Sequence, residues 1–423
     1  MKEKIKQRIE QIKNGEVPEG YSCTKAGVFP DDWEAVSFDE KFDRLDRKND
    51  EDNQNVLTIS AQQGLISQQD YYNSSYASEN KKGYSLLYKG DFSYNKSYSG
   101  DYLYGAIKRL DKYEKGIVSP LYICFESKEG TNSEFYLQYF ESGLFNGEIY
   151  KIAQEGARNH GLLNVSVTDF FKTHLINPPL AEQQKIAEIL MQCDKVIELK
   201  QKRIEEEKKL KKALMQKLLN PDSGIRLPGF KGEWKKTCIG DITELYSGGT
   251  PKSSDEENYA DESGIPFIRS GEISSTCTEL FLSEMGYKNS SAKMVKKGDL
   301  LYALYGANSG DCFISKMDGA INQAILCIKS KSEDIRYIYY VLSDSREKIT
   351  SVYLQGGQGN LSAAIIKKLK IALPSIEEQR EIVAVLNSKD TIIEKLEKEL
   401  EQWQQKKKSL MQLLLTGIVR VQA

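Results

Sequence analysis

Asn177-Pro178-Pro179-Leu180 is the first run in this 423-residue chain whose residue types could do chemistry. An Asn-Pro-Pro-aromatic motif holds the exocyclic amine of an extruded base for methylation, with the aromatic ring stacked on that base. Here the fourth residue is leucine, residues 372–375 read Ala-Leu-Pro-Ser, and no Phe-x-Gly-x-Gly loop for S-adenosylmethionine occurs. The prolines are better read as breaking the chain just before a helix. No Gly-Lys dipeptide is present, so the phosphate loop of nucleotide-hydrolysing domains is missing. Pro221-Asp222 ahead of Glu233-Trp234-Lys235 mimics a nuclease pattern but falls in a linker. The two histidines, His160 and His174, leave little material for a metal site or a proton relay. The seven cysteines (Cys23, Cys124, Cys193, Cys238, Cys277, Cys312 and Cys327) are odd in number and never form Cys-x-x-Cys. A disulfide framework or zinc ribbon is therefore not expected. The chain reads as non-catalytic, with no cofactor of its own.

What remains is polar and aromatic loop chemistry. Tyrosine is abundant, with 24 residues, nine of them between Tyr71 and Tyr104. Interleaved with them are Gln62, Gln63, Asn95, Lys96, Tyr98 and Arg109, followed by Arg158 and Asn159. A second set comprises Thr250, Lys252, Arg269, Asn308, Gln358 and Asn360. These residue types suit base edges, with arginine reading guanine and asparagine or glutamine reading adenine. Ordinary solvated turns use the same residues. What favours recognition is their occurrence at matching places in a duplicated chain.

The duplication is explicit. At an offset of 196 residues, Asn164-Val165-Ser166 matches Asn360-Leu361-Ser362, Pro178 matches Pro374, and Glu182-Gln183 matches Glu378-Gln379. Leu190, Asp194 and Ile197-Glu198 match Leu386, Asp390 and Ile393-Glu394, and Leu214-Met215-Gln216 matches Leu410-Met411-Gln412. The register holds from about residue 164 to about 219. Fainter echoes precede it: Lys89-Gly90-Asp91 against Lys297-Gly298-Asp299, and Trp33 against Trp234. Each half is thus a variable globular segment followed by a better-preserved helix.

Two long helices are expected, over 180–219 and 376–415. Apolar residues recur at spacings of 3 and 4: Ile186, Leu190, Ile197, Ile204, Leu214 and Leu218 in the first; Ile382, Leu386, Ile393, Leu400, Trp403, Leu410 and Leu414 in the second. Each would extend about 57 Å. Lys200, Glu207, Lys211, Lys389 and Lys407 interrupt the seam. They are either solvated breaks or residues that enforce pairing with the other helix. The globular segments mix strands (VLTIS, SLLY, DFSYN, IVSPLYICF; IPFIRS, DLLYALY, AINQAILCIKS) with two helices at corresponding places, EFYLQYFESGLF and RYIYYVLSDSREKI. Residues 1–14 read as a short basic helix.

With these residues in place, the chain resembles the specificity subunit of a type I restriction–modification system. The carrying residues are Pro178…Glu182-Gln183…Ile186…Leu190 and Pro374…Glu378-Gln379…Ile382…Leu386, each opening a long helix, with Gly298-Asp299-Leu300-Leu301 and Gly156-Ala157-Arg158-Asn159. The resemblance covers nearly the whole chain. It implies an α+β fold, with two mixed α/β target recognition domains and two long helices packed antiparallel as a coiled coil, in a pseudo-two-fold repeat. Its expected divisions are an N-terminal helix (1–19), a first recognition domain (20–178), a central helical spacer (179–220), a second recognition domain (221–374) and a C-terminal helical spacer (375–423). It further implies that each domain reads half of a split double-stranded DNA site, and that two modification subunits and two restriction subunits bring the S-adenosylmethionine, ATP and magnesium chemistry. No transmembrane stretch or secretory leader is read, so the cytoplasm is the expected compartment.

Charge sets one limit. The net charge is -2. Residues 20–178 hold 17 basic and 23 acidic side chains, and 221–374 hold 19 of each. Strong binding to DNA phosphates leaves a basic footprint. The isolated subunit is therefore expected to bind DNA weakly, with a shallower salt dependence than the assembled complex. Rival readings are a coiled-coil scaffold that binds proteins alone, and a stand-alone methyltransferase or nuclease.

Overall fold

The computed structural model describes residues 2–60, 64–72, 80–97, 102–153, 163–354 and 360–421. Two helices of 39 residues, Leu180–Leu218 (the central helix) and Ile376–Leu414 (the C-terminal helix), start where the sequence breaks on proline. Ser375 caps the second by accepting the Glu378 N–H at 3.3 Å. Gly417, at φ +68°, supplies the left-handed residue that turns the chain out of that helix.

The chain forms two compact units, 1–200 with 399–423, and 201–398. In the first, a basic helix (Lys2–Lys13) precedes an antiparallel four-stranded sheet with the order Phe42–Arg44, Ile123–Ser127, Phe92–Asn95, Ala106–Arg109. The second unit repeats that sheet as Thr243–Ser247, Ile325–Ser330, Leu300–Ala303, Cys312–Ile314. It adds a five-stranded sheet in which Ile265–Ile268 runs parallel to Gly319–Ile321. Each unit also pairs the strand entering its domain with the strand leaving it: Glu34–Ser37 with His174–Asn177, and Lys235–Cys238 with Lys370–Leu373.

Two expected strand runs are each split by a turn. IVSPLYICF breaks at Ser119-Pro120, where proline lacks the donor a ladder needs. AINQAILCIKS breaks at Asn322-Gln323, where the Asn322 side chain accepts the Ala324 N–H. The expected helix EFYLQYFESGLF ends at Glu141, with a further helix, Asn146–Ile152, beyond it, and RYIYYVLSDSREKI is divided into Ile335–Asp344 and Arg346–Leu354.

The cores explain the repeat. In the first unit, aromatic residues of the sheet and of helix Ser133–Glu141 enclose Ile186, Ala187 and Leu190 from the start of the central helix, and Met411, Leu414 and Leu415 from the end of the C-terminal helix. In the second, Ile382, Val383 and Leu386 pack with Met215, Leu218 and Leu219. Each core thus takes the start of one long helix and the end of the other.

Candidate nucleic-acid interface

The interface is framed from the helices outward. Within the first unit, Asp194 accepts from Lys407 and Lys200 donates to Glu399 at 2.7 Å. Within the second, Lys208 pairs with Glu397 at 2.7 Å and Lys211 with Asp390. Partner numbers fall as residue numbers rise in both places, so the helices run antiparallel. All five seam breaks, with Glu207 pairing to Lys389 at 3.0 Å, are ion pairs across the helices. The thirteen apolar seam residues are all buried or half-buried.

The two aspartates also tie the helices to their domains. Gln138 donates to Asp194 at 2.8 Å and Tyr340 donates to Asp390 at 2.6 Å. Asp194–Lys407 and Lys211–Asp390 are one interaction repeated at the 196-residue offset. The repeated Glu-Gln step has a job in each unit. Gln183 donates to the Pro178 carbonyl and Gln379 to that of Pro374. Glu182, buried, accepts from Arg420 and from the Trp33 indole; Glu378, buried, accepts from Arg226.

In the second domain the candidate loops gather where strand Leu300–Ala303 ends. Thr250, exposed, donates to the Gln323 side-chain amide oxygen, Oε1, at 2.6 Å. The Tyr305 hydroxyl stands beside Gln323, and burial shifts that hydroxyl upward. Asn308 donates to the Ser270 carbonyl at 3.4 Å. Asn360 is exposed and precedes Leu361, whose N–H bonds the Leu304 carbonyl at 2.9 Å. Lys252 is exposed on the same loop as Thr250, with its carbonyl accepting from Asn258.

Arg269, at the end of strand Ile265–Ile268, is gripped by Glu272 and Glu279. Burial pushes the Glu272 carboxyl up, but the Arg269 guanidinium and the N–H groups of Glu279 and Arg269 outweigh it and hold the group at about 2. The folded value lies below the ordinary value of 4.5, so its stabilisation is complete above pH 4.5 and is lost as pH falls toward 2. The shift corresponds to about 3 kcal/mol. Glu272→Gln is expected to remove that share of the acid-induced loss of stability. Parallel denaturation curves at pH 5 and pH 3 for both proteins check this, and an unchanged pH slope would contradict it.

In the first domain the corresponding strand end carries Asn95 and Lys96. The Asn95 side chain accepts the Ser97 N–H at 3.0 Å, and Lys96 reaches the Val165 carbonyl at 3.4 Å. Arg109 is held by Asp111 at 2.7 Å, Glu134 at 2.8 Å and Ser133 at 3.1 Å, over the face of Phe92. Its guanidinium is therefore committed to protein partners. Gln62, Gln63, Tyr98, Arg158, Asn159 and Gln358 lie outside the described residues. Tyrosine abundance proves partly structural: Tyr94, Tyr136, Tyr139, Tyr302, Tyr337 and Tyr340 are core residues.

Sequence reasoning missed Gln323 and Tyr305, although an Asn-Gln turn interrupting a strand run is a visible signal. It also missed Arg226 and Arg420, because the repeat register slips after each long helix: Gly224-Ile225-Arg226 echoes Gly417-Ile418-Val419-Arg420 with one residue inserted. Among the described residues, no group of three or more His, Cys, Asp or Glu is placed to hold a metal ion, and no helix is long and apolar enough to cross a membrane.

Duplicated domains with polar loops, braced by paired helices, define a two-headed DNA-recognition protein. The profile described as type I restriction modification DNA specificity domain matches residues 30–208 and 231–402. The chain belongs to this family of type I restriction–modification specificity subunits, whose role is DNA recognition without catalysis. It is 32% identical over 308 residues to the MjaX specificity subunit of a type I restriction enzyme of Methanocaldococcus jannaschii, spanning 68% of each chain. It is 29% identical over 327 residues to the MjaVIII specificity subunit of the same organism, covering 73% of this chain and 75% of that one. The fold matches the type I specificity subunit of M. genitalium with a TM-score of 0.58 at 16% identity, over 90% of this chain and 96% of that chain. Nothing in these similarities points to a scaffold that binds proteins alone.

Proposed function

We propose that each recognition domain reads one half of a bipartite, asymmetric DNA site, and that the paired helices set the distance between the halves and dock the modification subunits. The observation that carries this reading is the combination of a repeated framework with unrepeated loops. The helix contacts recur at a fixed offset, while the residues at the sheet ends differ between domains. Two heads of one architecture with different loop chemistry fit two different half-sites. Reading both from one face of the duplex needs a separation near one helical turn, about 34 Å, or a multiple of it.

In this reading the DNA contacts come from Asn95, Lys96, Thr250, Lys252, Asn308 and Asn360, with Gln62, Gln63, Tyr98, Arg158, Asn159 and Gln358 completing the set. Arg109 and Arg269 present guanidinium edges fixed by carboxylates. Subunits of this class work with DNA and with methyltransferase and restriction subunits. Two copies of each would complete the assembly in the cytoplasm and would supply S-adenosylmethionine, ATP and magnesium chemistry.

The test exchanges residues 20–178 for those of a relative and maps methylated adenines made by the assembled complex. One half of the modified site is expected to change and the other to persist. Alteration of both halves, or of neither, would sink the proposal.

A further inference from the structure

The Thr250–Gln323–Tyr305 cluster supports a sharper statement, which rests on the reading above. The loop Gly248-Gly249-Thr250 lies so close to its neighbours that side chains cannot fit. A Cβ on Gly248 would sit 1.7 Å from the Ile321 carbonyl oxygen, and one on Gly249 would sit 1.9 Å from the Ser291 hydroxyl. The Gly248 N–H donates to the Asn322 carbonyl at 3.2 Å, tying this loop to the turn that carries Gln323. Pro251, buried, fixes the chain on the far side of Thr250. Thr250 is thereby a rigid support on an otherwise exposed surface.

The Gln323 side chain is held at its amide oxygen. That oxygen accepts from Thr250 at 2.6 Å, and the Tyr305 hydroxyl stands beside the amide. A glutamine amide carries two donor hydrogens and two acceptor lone pairs. The Thr250 bond uses one acceptor, so among the described residues a donor and an acceptor remain for a base edge. A donor beside an acceptor is the complement of the N7 and N6 amino edge that adenine shows in the major groove. Holding a long side chain in place beforehand lowers the entropy lost on binding.

The first domain lacks this device. The turn closed by the Tyr122 N–H on the Ser119 carbonyl matches the one closed by the Ile325 N–H on the Asn322 carbonyl, and strand Ile123–Ser127 pairs with Phe92–Asn95 as Ile325–Ser330 pairs with Leu300–Ala303, which places Pro120 where the second domain has Gln323. The Pro120 side chain offers no hydrogen bond. The framework of the fold therefore does not require the polar cluster, whereas the recognition surface of one domain has it.

We propose that Gln323 reads an adenine in the half-site served by the second domain, with Thr250 as its positioning residue. The experiment uses the full complex with its methyltransferase and restriction partners. Methylation rates are measured on a library holding every single-base variant of the target. Gln323→Ala is expected to relax discrimination at one A·T pair of that half-site by about 5- to 150-fold, leaving the other half-site unchanged. Gln323→Glu keeps the shape but replaces the donor with an acceptor, and is expected to shift preference at that pair toward cytosine. Thr250→Val is expected to weaken discrimination at the same pair, and Thr250→Ser to restore it. Gln323 is exposed, so the melting temperature of each variant is expected to stay at the parent value.

Unchanged discrimination at every position overturns the proposal. So does uniform weakening on all sequences with a reduced salt slope, which would make Gln323 a phosphate contact. So does relaxation in the half-site that follows residues 20–178. Failure of the broader reading is separate: it appears in the exchange of residues 20–178, which leaves Gln323 untouched.

Discussion

Replacing Phe38 with alanine is expected to destabilise the first recognition domain by about 4 kcal/mol. Phe38 is fully buried, and its ring meets those of Phe42, Phe125, Phe140, Phe145, Phe170 and Phe171 at centroid distances of 4.7 to 6.1 Å. Truncation removes the transfer energy of a whole ring and leaves a cavity. The surrounding rings cannot collapse into it, because they are braced against one another: Phe92 stacks on Phe125, and Tyr94 on Phe170. In the second unit the equivalent place is held by Ile239, also fully buried but aliphatic. Ile239→Ala is expected to cost less, about 2 to 4 kcal/mol. Denaturant unfolding of the two variants, followed by tyrosine fluorescence and by limited proteolysis, reads the loss in each domain. A Phe38→Ala cost below about 1.5 kcal/mol would show that the aromatic cluster is not packed as described.

The second large effect is expected at Glu182. This carboxylate is 3% exposed and accepts from the Trp33 indole at 3.0 Å and from Arg420 at 2.8 and 2.7 Å. Arg420 continues to Asp32 at 2.8 and 2.7 Å. The carboxylates hold the Arg420 guanidinium well above its usual range. Glu182→Ala strands the buried indole N–H and removes two charged hydrogen bonds. Arg420 is 38% exposed and is partly rescued by water and by Asp32, which discounts the loss. A cost of about 3 kcal/mol is expected. Arg420→Met removes the other partner. The double-mutant cycle is expected to give a coupling near 1 to 2 kcal/mol, and additive effects would mean that the clamp does not hold the first unit together.

Much of this was legible in the sequence because duplication is arithmetic. An offset of 196 marks the positions that the framework fixes, so both long helices and the Glu-Gln step stand out before any coordinates. The helix boundaries follow from proline and glycine. The polar seam residues were ambiguous, because a lysine in an apolar stripe reads the same whether it faces water or an aspartate of the other helix. Only the antiparallel pairing decides, and it places Lys407 on Asp194 and Lys211 on Asp390. The recognition surface was less legible. Arg109 looks like a base reader by residue type, but three neighbours from the strand end and the following helix engage it. Gln323 looked like part of a strand, and its role emerges only when the turn and the Gly248-Gly249 loop meet. Hydrogen bonds between residues 73 positions apart leave no trace in local periodicity.

The composition of the first unit has a consequence for biosynthesis. Its core includes Met411, Leu414 and Leu415, and Tyr21 donates to the Gly417 carbonyl across 396 residues of sequence. The second unit is one uninterrupted stretch, 201–398. On the ribosome, the domain translated first thus waits for residues made after the whole of the other, and the later domain can complete its core earlier. Loss of the final turns of the C-terminal helix would therefore strike the oldest part of the nascent chain, whose half-finished aromatic core is the surface most in need of chaperone protection during that wait.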